Sequence, residues 1–412
     1  MRIGIIVSIY PRLSETFILN QITALLDRGH NLTIIAGIDP QEKKVHHDFF
    51  EYDLKSISYW LPKNKVWRYL KACFLLAIYL PTNFRFLVKT LNFLKYGQDA
   101  ISLRLFYCMI PCIRKGPFEI VYCHFGENGN IGAMLKEIGV SGKLVAVFHG
   151  SDLSARLKMR GAQYYDLLFK TADLLLPVSE LFRKRLIEFD APPQKTIVHR
   201  IGVDPEKFRF QARCYESGQP LMILTIARLV EKKGLEYSIR AVSNLMKKHP
   251  KRSISYNIIG DGPLAGDLRK LIHDLEVEYS IFLLGGMEQD SVMDWMMKSH
   301  IYVLASMTAS NGDQEGIPVS LMETMATGMP VVSTYHSGIP EIITNGVSGY
   351  LTPEKDVDGL TNAIEHLILH PESWPVIGKA ARNTIETNYS IENQITRLVR
   401  IFDDLRENRA FN

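Results

Sequence analysis

Two glutamates, Glu315 and Glu323, flank a short segment that could bind an anion. Between them the sequence reads Gly-Ile-Pro-Val-Ser-Leu-Met. Because the φ of proline is fixed near the helical value, a helix is predicted to begin near Pro318. The first N–H groups of a helix have no partner within it, and the helix dipole favours negative charge there. Three residues are expected to offer such groups: Gly316, Ile317 and Val319.

A carboxylate on each side of an anion site favours a ligand with both phosphate and hydroxyl groups. A diphosphate would take the N–H groups, and Glu315 and Glu323 would accept hydrogen bonds from sugar hydroxyls. A sugar nucleotide meets both requirements. Glutamates at this spacing also occur by chance and are then solvated, so the surrounding residues must decide between the two interpretations.

Cationic and small residues follow two further predicted strands. Arg228 and Lys233 lie five residues apart in one loop and could both contact a diphosphate, offsetting the charge of the leaving group. The alternative is a solvated basic loop, and Lys232 is predicted to lie on the surface. Gly260 and Gly262, in Gly-Asp-Gly-Pro, could let the backbone approach a ligand closely, although that sequence is also typical of a turn.

Histidines end two predicted strands in the first half of the chain. His149 is followed by Gly-Ser-Asp and could hydrogen-bond the sugar being transferred; the alternative is a structural histidine. His124 occupies the same place in its own strand and is a candidate for acceptor binding. Ser14 is predicted to cap the first helix, and with Glu15 and Thr16 it could instead form the floor of an acceptor site.

Parallel sheets would bring these residues together. Short apolar runs alternate with helical stretches, and the alternation restarts near residue 220, which predicts an α/β fold with parallel sheets covered on both faces. Ligands bind such sheets at the carboxyl ends of the strands. Strands are predicted at residues 2–8, 32–37, 120–124, 144–149, 221–227, 255–260, 281–285, 301–305 and 331–334. Helices are predicted at residues 14–29, 234–249, 264–275, 319–327 and 391–406.

The length of 412 residues predicts two domains. Residues 1–205 are expected to form a Rossmann-like acceptor-binding domain. Residues 206–390 are expected to form a Rossmann-like domain that binds the nucleotide sugar, facing the first across a cleft. The last helix, within residues 391–412, is expected to cross back and pack toward the first domain.

The composition, with 46% hydrophobic and 22% charged residues, is that of a soluble globular protein. Five scattered cysteines indicate reduced thiols in a reducing compartment. The first apolar run is too short for a signal peptide. No run is judged to reach the roughly 18 apolar residues of a membrane-spanning helix.

Residues 43–115 hold most of the basic excess of the first half of the chain, interleaved with Trp, Tyr and Phe. This pattern is typical of amphipathic helices at an anionic membrane surface. One alternative is that the helices pack their apolar sides inward and expose a solvated basic side. Nucleic acid would also attract the charge, but no nucleic-acid-binding motif accompanies it. A cytoplasmic protein, peripheral on the inner face of the cell membrane, is therefore predicted.

Several cofactor motifs are missing from the sequence. No G-x-G-x-x-G follows the first strand, which disfavours NAD, and there is no Walker A lysine loop. No Asp-x-Asp of the metal–sugar-nucleotide type is assigned. We therefore expect no cofactor and no metal, and charge neutralisation would fall to Arg228, Lys233 and the helix dipole.

The combined motifs resemble the family-4 retaining glycosyltransferases of the GT-B fold. The resemblance covers nearly the whole chain and is strongest over residues 221–353. The matching segments are residues 227–234, 259–263, 314–326, 328–334 and 337–341. Two further segments, residues 11–17 and 311–318, look like the branch that serves bacterial exopolysaccharide assembly, including the colanic-acid type.

The resemblance implies a role for each candidate. Glu323 would bind the nucleotide ribose and Glu315 a hydroxyl of the donor sugar. Arg228 and Lys233 would hold the diphosphate, and His149 would contact the sugar near the reacting carbon. The other donor-binding residues would be Gly316, Ile317, Pro318, Val319, Gly260 and Gly262.

The resemblance also implies a reaction: metal-independent transfer of a sugar from a UDP- or GDP-linked donor to a saccharide, expected to be lipid-linked, with retention. No carboxylate nucleophile is evident, so a same-face displacement assisted by the donor phosphate is favoured by analogy. One alternative is a sugar-nucleotide epimerase of the same architecture. Another is a non-catalytic, membrane-associated assembly partner, which the presence of all four charged candidates (Arg228, Lys233, Glu315 and Glu323) disfavours.

Overall fold

The chain divides into two compact units, each built on one sheet. The computed structural model describes residues 1–12, 15–41, 46–140, 142–216 and 218–409. The first unit contains Met1–Leu153, Leu157–His199 and the residues from Ile395 onward. The second contains Ser154–Arg156 and Arg200–Gln394.

The first unit has a six-stranded parallel sheet in the order β3-β2-β1-β4-β5-β6. Its strands are β1 (Arg2–Ile9), β2 (Asn31–Ile38), β3 (Ser58–Trp60), β4 (Ile120–His124), β5 (Lys143–Phe148) and β6 (Leu174–Pro177). The helices of this part of the chain are α1 (Thr16–Asp27), α2 (His47–Glu51), α3 (Lys65–Thr90), α4 (Phe93–Ile101), α5 (Arg104–Lys115), α6 (Gly126–Ile138), α7 (Ala155–Arg160), α8 (Asp166–Thr171) and α9 (Glu180–Glu188).

The second unit repeats the arrangement, with a parallel sheet in the order β12-β11-β10-β7-β8-β9. Its strands are β7 (Leu221–Ile226), β8 (Ile254–Ile259), β9 (Ile281–Gly285), β10 (Ile301–Val303), β11 (Val331–Thr334) and β12 (Tyr350–Thr352). Its helices are α10 (Leu235–Lys248), α11 (Ala265–Asp274), α12 (Gln289–Lys298), α13 (Val319–Ala326), α14 (Val357–Leu369) and α15 (Trp374–Asn388). The last helix, α16 (Ile391–Arg406), begins in this unit, and its larger part belongs to the first.

The predicted α/β class with two parallel sheets is confirmed. Each predicted strand has a counterpart, because their residues form apolar runs that a sheet covered on both faces requires. Three strands were missed: β3, β6 and β12. They contain only three or four residues each, and each lies at an edge of its sheet.

The judgement that no run could span a membrane was wrong on length and composition, since α3 is long and apolar enough by those two criteria. Only 11% of its most apolar stretch is buried. Trp67, Phe74 and Ile78 are 60%, 66% and 49% exposed. The apolar side of α3 is therefore exposed, unlike that of α5, whose residues 105–111 are buried as the inward-packing alternative predicts.

Candidate active site

The predicted helix start is confirmed: α13 begins at Val319, with Pro318 as the preceding residue at φ −66°. Glu315 lies in the loop before the helix, and Glu323 lies one turn inside it. Three backbone N–H groups at this end have no acceptor among the described residues: those of Gly316, Ile317 and Val319. The end of the helix is therefore open to an anion.

Glu315 forms ion pairs with two buried lysines. Lys233 Nζ lies 3.1 Å from Glu315 Oε2, and Lys232 Nζ lies 3.8 Å from Oε1. Burial by itself would raise the pKa of Glu315, but the charges of Lys233 and Lys232 outweigh it and place the pKa at about 2. Glu315 is therefore a carboxylate at neutral pH. Burial lowers the pKa of Lys233, and the Glu315 charge opposes that effect.

The prediction of a surface position for Lys232 was wrong, because the residue is only 8% exposed. Its ammonium lies 3.1 Å from Asp313 Oδ2. Its backbone carbonyl accepts a hydrogen bond of 2.9 Å from the N–H of Met307. A buried ammonium needs such counter-charges, so Asp313 joins the cluster. The Asp-x-Glu spacing of Asp313 and Glu315 was the available signal.

Two acceptor atoms of this cluster are buried without a hydrogen-bond donor among the described residues: Asp313 Oδ1 and Glu315 Oε1. Leaving a buried acceptor unsatisfied costs about 1–3 kcal/mol. Hydroxyl groups of a ligand would satisfy both atoms.

Arg228 lies five residues before Lys233, in the same loop, and is exposed. Burial is the main cause of the lowered pKa of Lys233, and the charge of Arg228 adds a smaller decrease. The two predicted cations are thus close enough to repel each other, and their shared contact with a diphosphate stays a prediction.

The glycines at 260 and 262 have a packing role within the protein. A Cβ at Gly260 would lie 1.9 Å from the carbonyl oxygen of Ala227, and one at Gly262 would lie 2.5 Å from that of Leu229. Gly260 also has φ +143°, a value that L side chains rarely adopt. The turn thus packs on the backbone of the loop that carries Arg228, and its contact with a donor stays a prediction.

Glu323 has a perturbed carboxyl group. Burial raises its pKa to about 7, and the charge of Lys207 only partly opposes this. No hydrogen bond reaches its carboxyl group in the part of the chain that the structure describes. Glu323 therefore changes charge near neutral pH.

In the first unit, His124 and His149 end β4 and β5 and touch each other. Nδ1 of His124 lies 3.2 Å from Nε2 of His149, and the rings stack with centroids 5.4 Å apart. Burial lowers the pKa of His124 to about 3 and that of His149 well below its usual value. Both rings are therefore neutral at pH 7.

Asp152 was missed, although it directly supports His149. Its carboxylate accepts hydrogen bonds from the N–H groups of His149 (3.1 Å), Gly150 (2.7 Å) and Gly126 (3.1 Å). Burial raises its pKa to about 6, against the effect of these bonds. Asp152 thus fastens the end of β5 to the start of α6. Its place three residues after His149 was the signal in the sequence.

The acceptor-side candidates are only partly described. Ser14 lies outside the described residues. Helix α1 begins at Thr16, with Glu15 in the N-cap position and paired with Arg12 at 3.1 Å. Roles in acceptor binding stay predictions.

One Asp-x-Asp does occur in the sequence, at Asp356 and Asp358. The Asp356 carboxylate accepts the N–H of Gly359 at 2.8 Å and caps α14. That bond gives Asp356 a helix-capping function.

Comparisons with known proteins match both halves of the chain. The family described as "Glycosyltransferase Family 4" matches residues 14–207, and the one described as "Glycosyl transferases group 1" matches residues 207–384. The amylovoran biosynthesis glycosyltransferase AmsK of Erwinia amylovora is 38% identical over 96% of this chain and 98% of its own. The putative colanic acid biosynthesis glycosyltransferase WcaL of Escherichia coli is 35% identical over 95% of this chain and 96% of its own.

A solved structure extends the match to the fold. HepE of Anabaena, crystallised with UDP and glucose, superposes with a TM-score of 0.73 over 98% of this chain and 100% of its own, at 16% identity. At that identity the likeness concerns the fold alone. With the sequence matches and the two parallel sheets, the chain belongs to glycosyltransferase family 4 and has the GT-B fold.

Proposed function

We propose that this glycosyltransferase moves a hexosyl group from a UDP- or GDP-linked donor to a saccharide acceptor in bacterial exopolysaccharide assembly. The observation that carries the proposal is the ion pair of Glu315 and Lys233 in front of the open N-terminus of α13. The pathways named for AmsK and WcaL support the exopolysaccharide role. The UDP and glucose bound by HepE support a nucleotide-sugar donor.

In the proposed reaction, the bond between the anomeric carbon and the diphosphate oxygen breaks, and the diphosphate leaves with the electron pair. The acceptor hydroxyl oxygen bonds to the anomeric carbon on the same face, and its proton passes to a donor phosphate oxygen. Configuration is then retained. Arg228, Lys233 and the N–H groups before α13 stabilise the charge that develops on the diphosphate.

The remaining candidates bind and orient the donor. The Glu315 carboxylate accepts a hydrogen bond from a hydroxyl of the donor sugar, and Glu323 accepts from the ribose. His149, neutral at pH 7, hydrogen-bonds the sugar near the anomeric carbon without adding charge. Fixed cations supply the neutralisation, so we expect activity to persist in excess EDTA.

Thermal unfolding of the whole chain with UDP, GDP, ADP or NAD tests the donor class. UDP or GDP at 100 times its dissociation constant should add about 2.7 kcal/mol of stability. Glu323→Ala should reduce that gain, whereas Glu365→Ala should keep it, because Glu365 pairs with Lys248 and His249 away from α13. No response to UDP or GDP, or a response to NAD alone, would contradict the proposal.

The proposal extends to the membrane. The acceptor is lipid-linked, and α3 lies on the anionic inner face of the cell membrane. Trp67, Leu70, Phe74 and Ile78 recur at helical spacing, so they form one stripe, and each is 49–66% exposed. Around them the basic side chains are also exposed: Lys63, Lys65, Lys71 and Arg85. Such a surface suits the boundary between headgroups and acyl chains.

Hydrogen bonds to neighbouring helices favour an interfacial position of α3 over a spanning one. Arg68 Nη1 donates to the carbonyl of Ser102 at 3.2 Å, and Tyr69 Oη donates to that of Ile101 at 2.8 Å. Tyr107, on α5, donates to the carbonyl of Arg68 at 2.7 Å. These bonds hold the start of α3 against the end of α4 and against α5, and an interfacial position of α3 keeps all three.

Co-sedimentation with vesicles tests the membrane surface. The protein should bind phosphatidylglycerol vesicles at low salt and bind phosphatidylcholine vesicles weakly. Trp67→Glu with Phe74→Glu should abolish binding, and Val376→Glu, a change at an apolar residue of the second unit that is 71% exposed, should not. Equal binding by both variants would contradict an interfacial α3.

A further inference from the structure

Two side chains form hydrogen bonds with the backbone of Glu315. Its N–H donates to Nε2 of His336 at 3.1 Å, and its carbonyl accepts from the Ser337 hydroxyl at 2.6 Å. Both partners lie just after β11, and Glu315 lies in the long connection after β10. The loop is thus fastened to the end of the neighbouring strand.

The first of these bonds fixes the tautomer of His336. A backbone N–H can only donate, so Nε2 must present its lone pair to Glu315 and the ring proton must sit on Nδ1. Nδ1 lies 2.5 Å from Oε1 of Glu354. Glu354 therefore accepts a hydrogen bond from the Nδ1–H group and holds the imidazole in the orientation that Glu315 needs.

Glu354 also holds the other end of the same loop. Its Oε2 accepts the N–H of Thr308 at 2.9 Å. The Thr308 hydroxyl in turn accepts a hydrogen bond of 3.0 Å from the side-chain amide of Gln314. Burial by itself would raise the pKa of Glu354, but the bonds from Thr308 and His336 outweigh it and lower the pKa. Glu354 is thus an anion with fixed donors.

The arrangement depends on three adjacent strands. Thr308 follows β10, His336 follows β11 and Glu354 follows β12, and these strands are neighbours in the sheet. His336 is fully buried. Its ring therefore has no freedom to turn away, and the position of Glu315 follows from the order of the strands.

We propose that His336 and Glu354 are positioning residues for donor-sugar recognition: through His336, Glu354 sets where Glu315 meets the sugar hydroxyl. The inference rests on the proposed function, in which Glu315 contacts the sugar and Glu323 the ribose. Disturbing His336 should therefore weaken the contribution of the sugar and spare that of the nucleotide.

The test compares UDP and GDP with UDP-glucose, UDP-galactose, GDP-mannose and GDP-fucose by calorimetry on the full chain. In the unaltered protein at least one sugar nucleotide should bind more tightly than its parent nucleotide. His336→Phe should remove about tenfold of that difference and leave the affinity for the parent nucleotide within about twofold. His336→Gln should recover part of the loss, because its amide oxygen can accept the N–H of Glu315.

His249 and Glu365 provide a matched control in the same unit. Nε2 of His249 lies 2.7 Å from Oε1 of Glu365, and neither residue bonds the Glu315 loop among the described residues. His249→Phe should leave the sugar contribution unchanged. If His336→Phe does not fold, Glu354→Gln, at a side chain that is 28% exposed, carries the test.

Three results would overturn the positioning role. They are an equal loss for nucleotide and sugar nucleotide, an equal effect of His249→Phe, or no rescue by His336→Gln. A protein that binds UDP or GDP but gains nothing from any sugar would also refute it, and the proposed donor class would stand. Failure to bind either nucleotide would instead contradict the proposed function.

Discussion

The two units share one topology but carry opposite chemistry at their strand ends. Both sheets have a central pair of strands from which the chain winds outward in each direction. In the first unit, His124 and His149 are buried and neutral. In the second, the ends of the strands lead into buried ions, among them Lys233 and Glu315. Topology places the side chains, and the loops decide their charge.

The difference in charge between the two units follows from the partners that the loops provide for buried groups. A charge removed from water persists only with counter-charges and hydrogen bonds. Lys232, Lys233, Asp313 and Glu315 supply these to one another. In the first unit, the buried carboxylate of Asp152 accepts hydrogen bonds from backbone N–H groups. Burial lowers the pKa of His124 and His149, so both rings are neutral. The proposed function uses this contrast: the first unit would contact the neutral sugar, and the second would bind the diphosphate.

Removing the charge of Glu315 should break this contrast most severely. Glu315→Gln leaves Lys233 buried without its partner, and breaking a buried pair costs about 3–5 kcal/mol. We expect kcat/KM to fall at least about 100-fold. The measurement is the release of UDP or GDP from the donor. Glu236→Gln, which breaks an exposed pair with Arg240, should stay within about twofold. A smaller loss in Glu315→Gln would show that the charged cluster is dispensable.

A smaller effect is expected at the neutral site of the first unit. His149→Ala removes one uncharged hydrogen bond, worth about 1 kcal/mol. We expect kcat to fall about fivefold, while calorimetry should find UDP and GDP binding unchanged. A loss larger than that of Glu315→Gln, or a parallel loss of nucleotide affinity, would reverse the comparison.

The neutral histidines also predict acid sensitivity. Another buried histidine, His199, ends the segment Leu157–His199 of the first unit. Burial lowers the pKa of His124 and His199 to about 3, against about 6.5 in the unfolded chain. Above pH 6.5 these histidines are neutral in both the folded and the unfolded state, so they do not change the stability. Below that pH the unfolded state takes up protons that the folded state cannot, and stability falls by up to about 1.4 kcal/mol per pH unit for each histidine.

Hydrogen exchange of β4 and β5 amides at pH 7, 6 and 5 measures this effect. His199→Gln should make the loss of protection with acid less steep. His47→Gln, at a side chain that is 85% exposed, should not. An unchanged slope in His199→Gln would mean that the buried imidazole is charged in the folded protein.

The smallest predicted effect is a pH dependence of nucleotide affinity at Glu323. Burial places its pKa at about 7, and ribose hydroxyls favour the ionised form. Binding should therefore release a proton, so affinity should rise severalfold from pH 6 to pH 8 and level off above the pKa. Glu323→Gln should flatten the profile measured with UDP and GDP, and a profile that persists would remove Glu323 from the ribose site.

The sequence alone determined the local features of the second unit. The start of α13 follows from the fixed φ of Pro318. The apolar runs of β7, β8, β10 and β11 are visible because each is continuous along the chain. The position of Lys233 in the loop after β7 and that of Glu315 in the loop before α13 were predicted from these local signals.

Only the tertiary structure decided which distant residues meet. Lys232 is buried because Asp313 and Glu315 surround it, and nothing in its own sequence context distinguishes it from a surface lysine. His336 and Glu354 reach the Glu315 loop because β10, β11 and β12 are neighbours. Periodicity along the chain shows where strands occur but does not encode which strands pair. The sheet order therefore decided the partners, and the partners decided the charges.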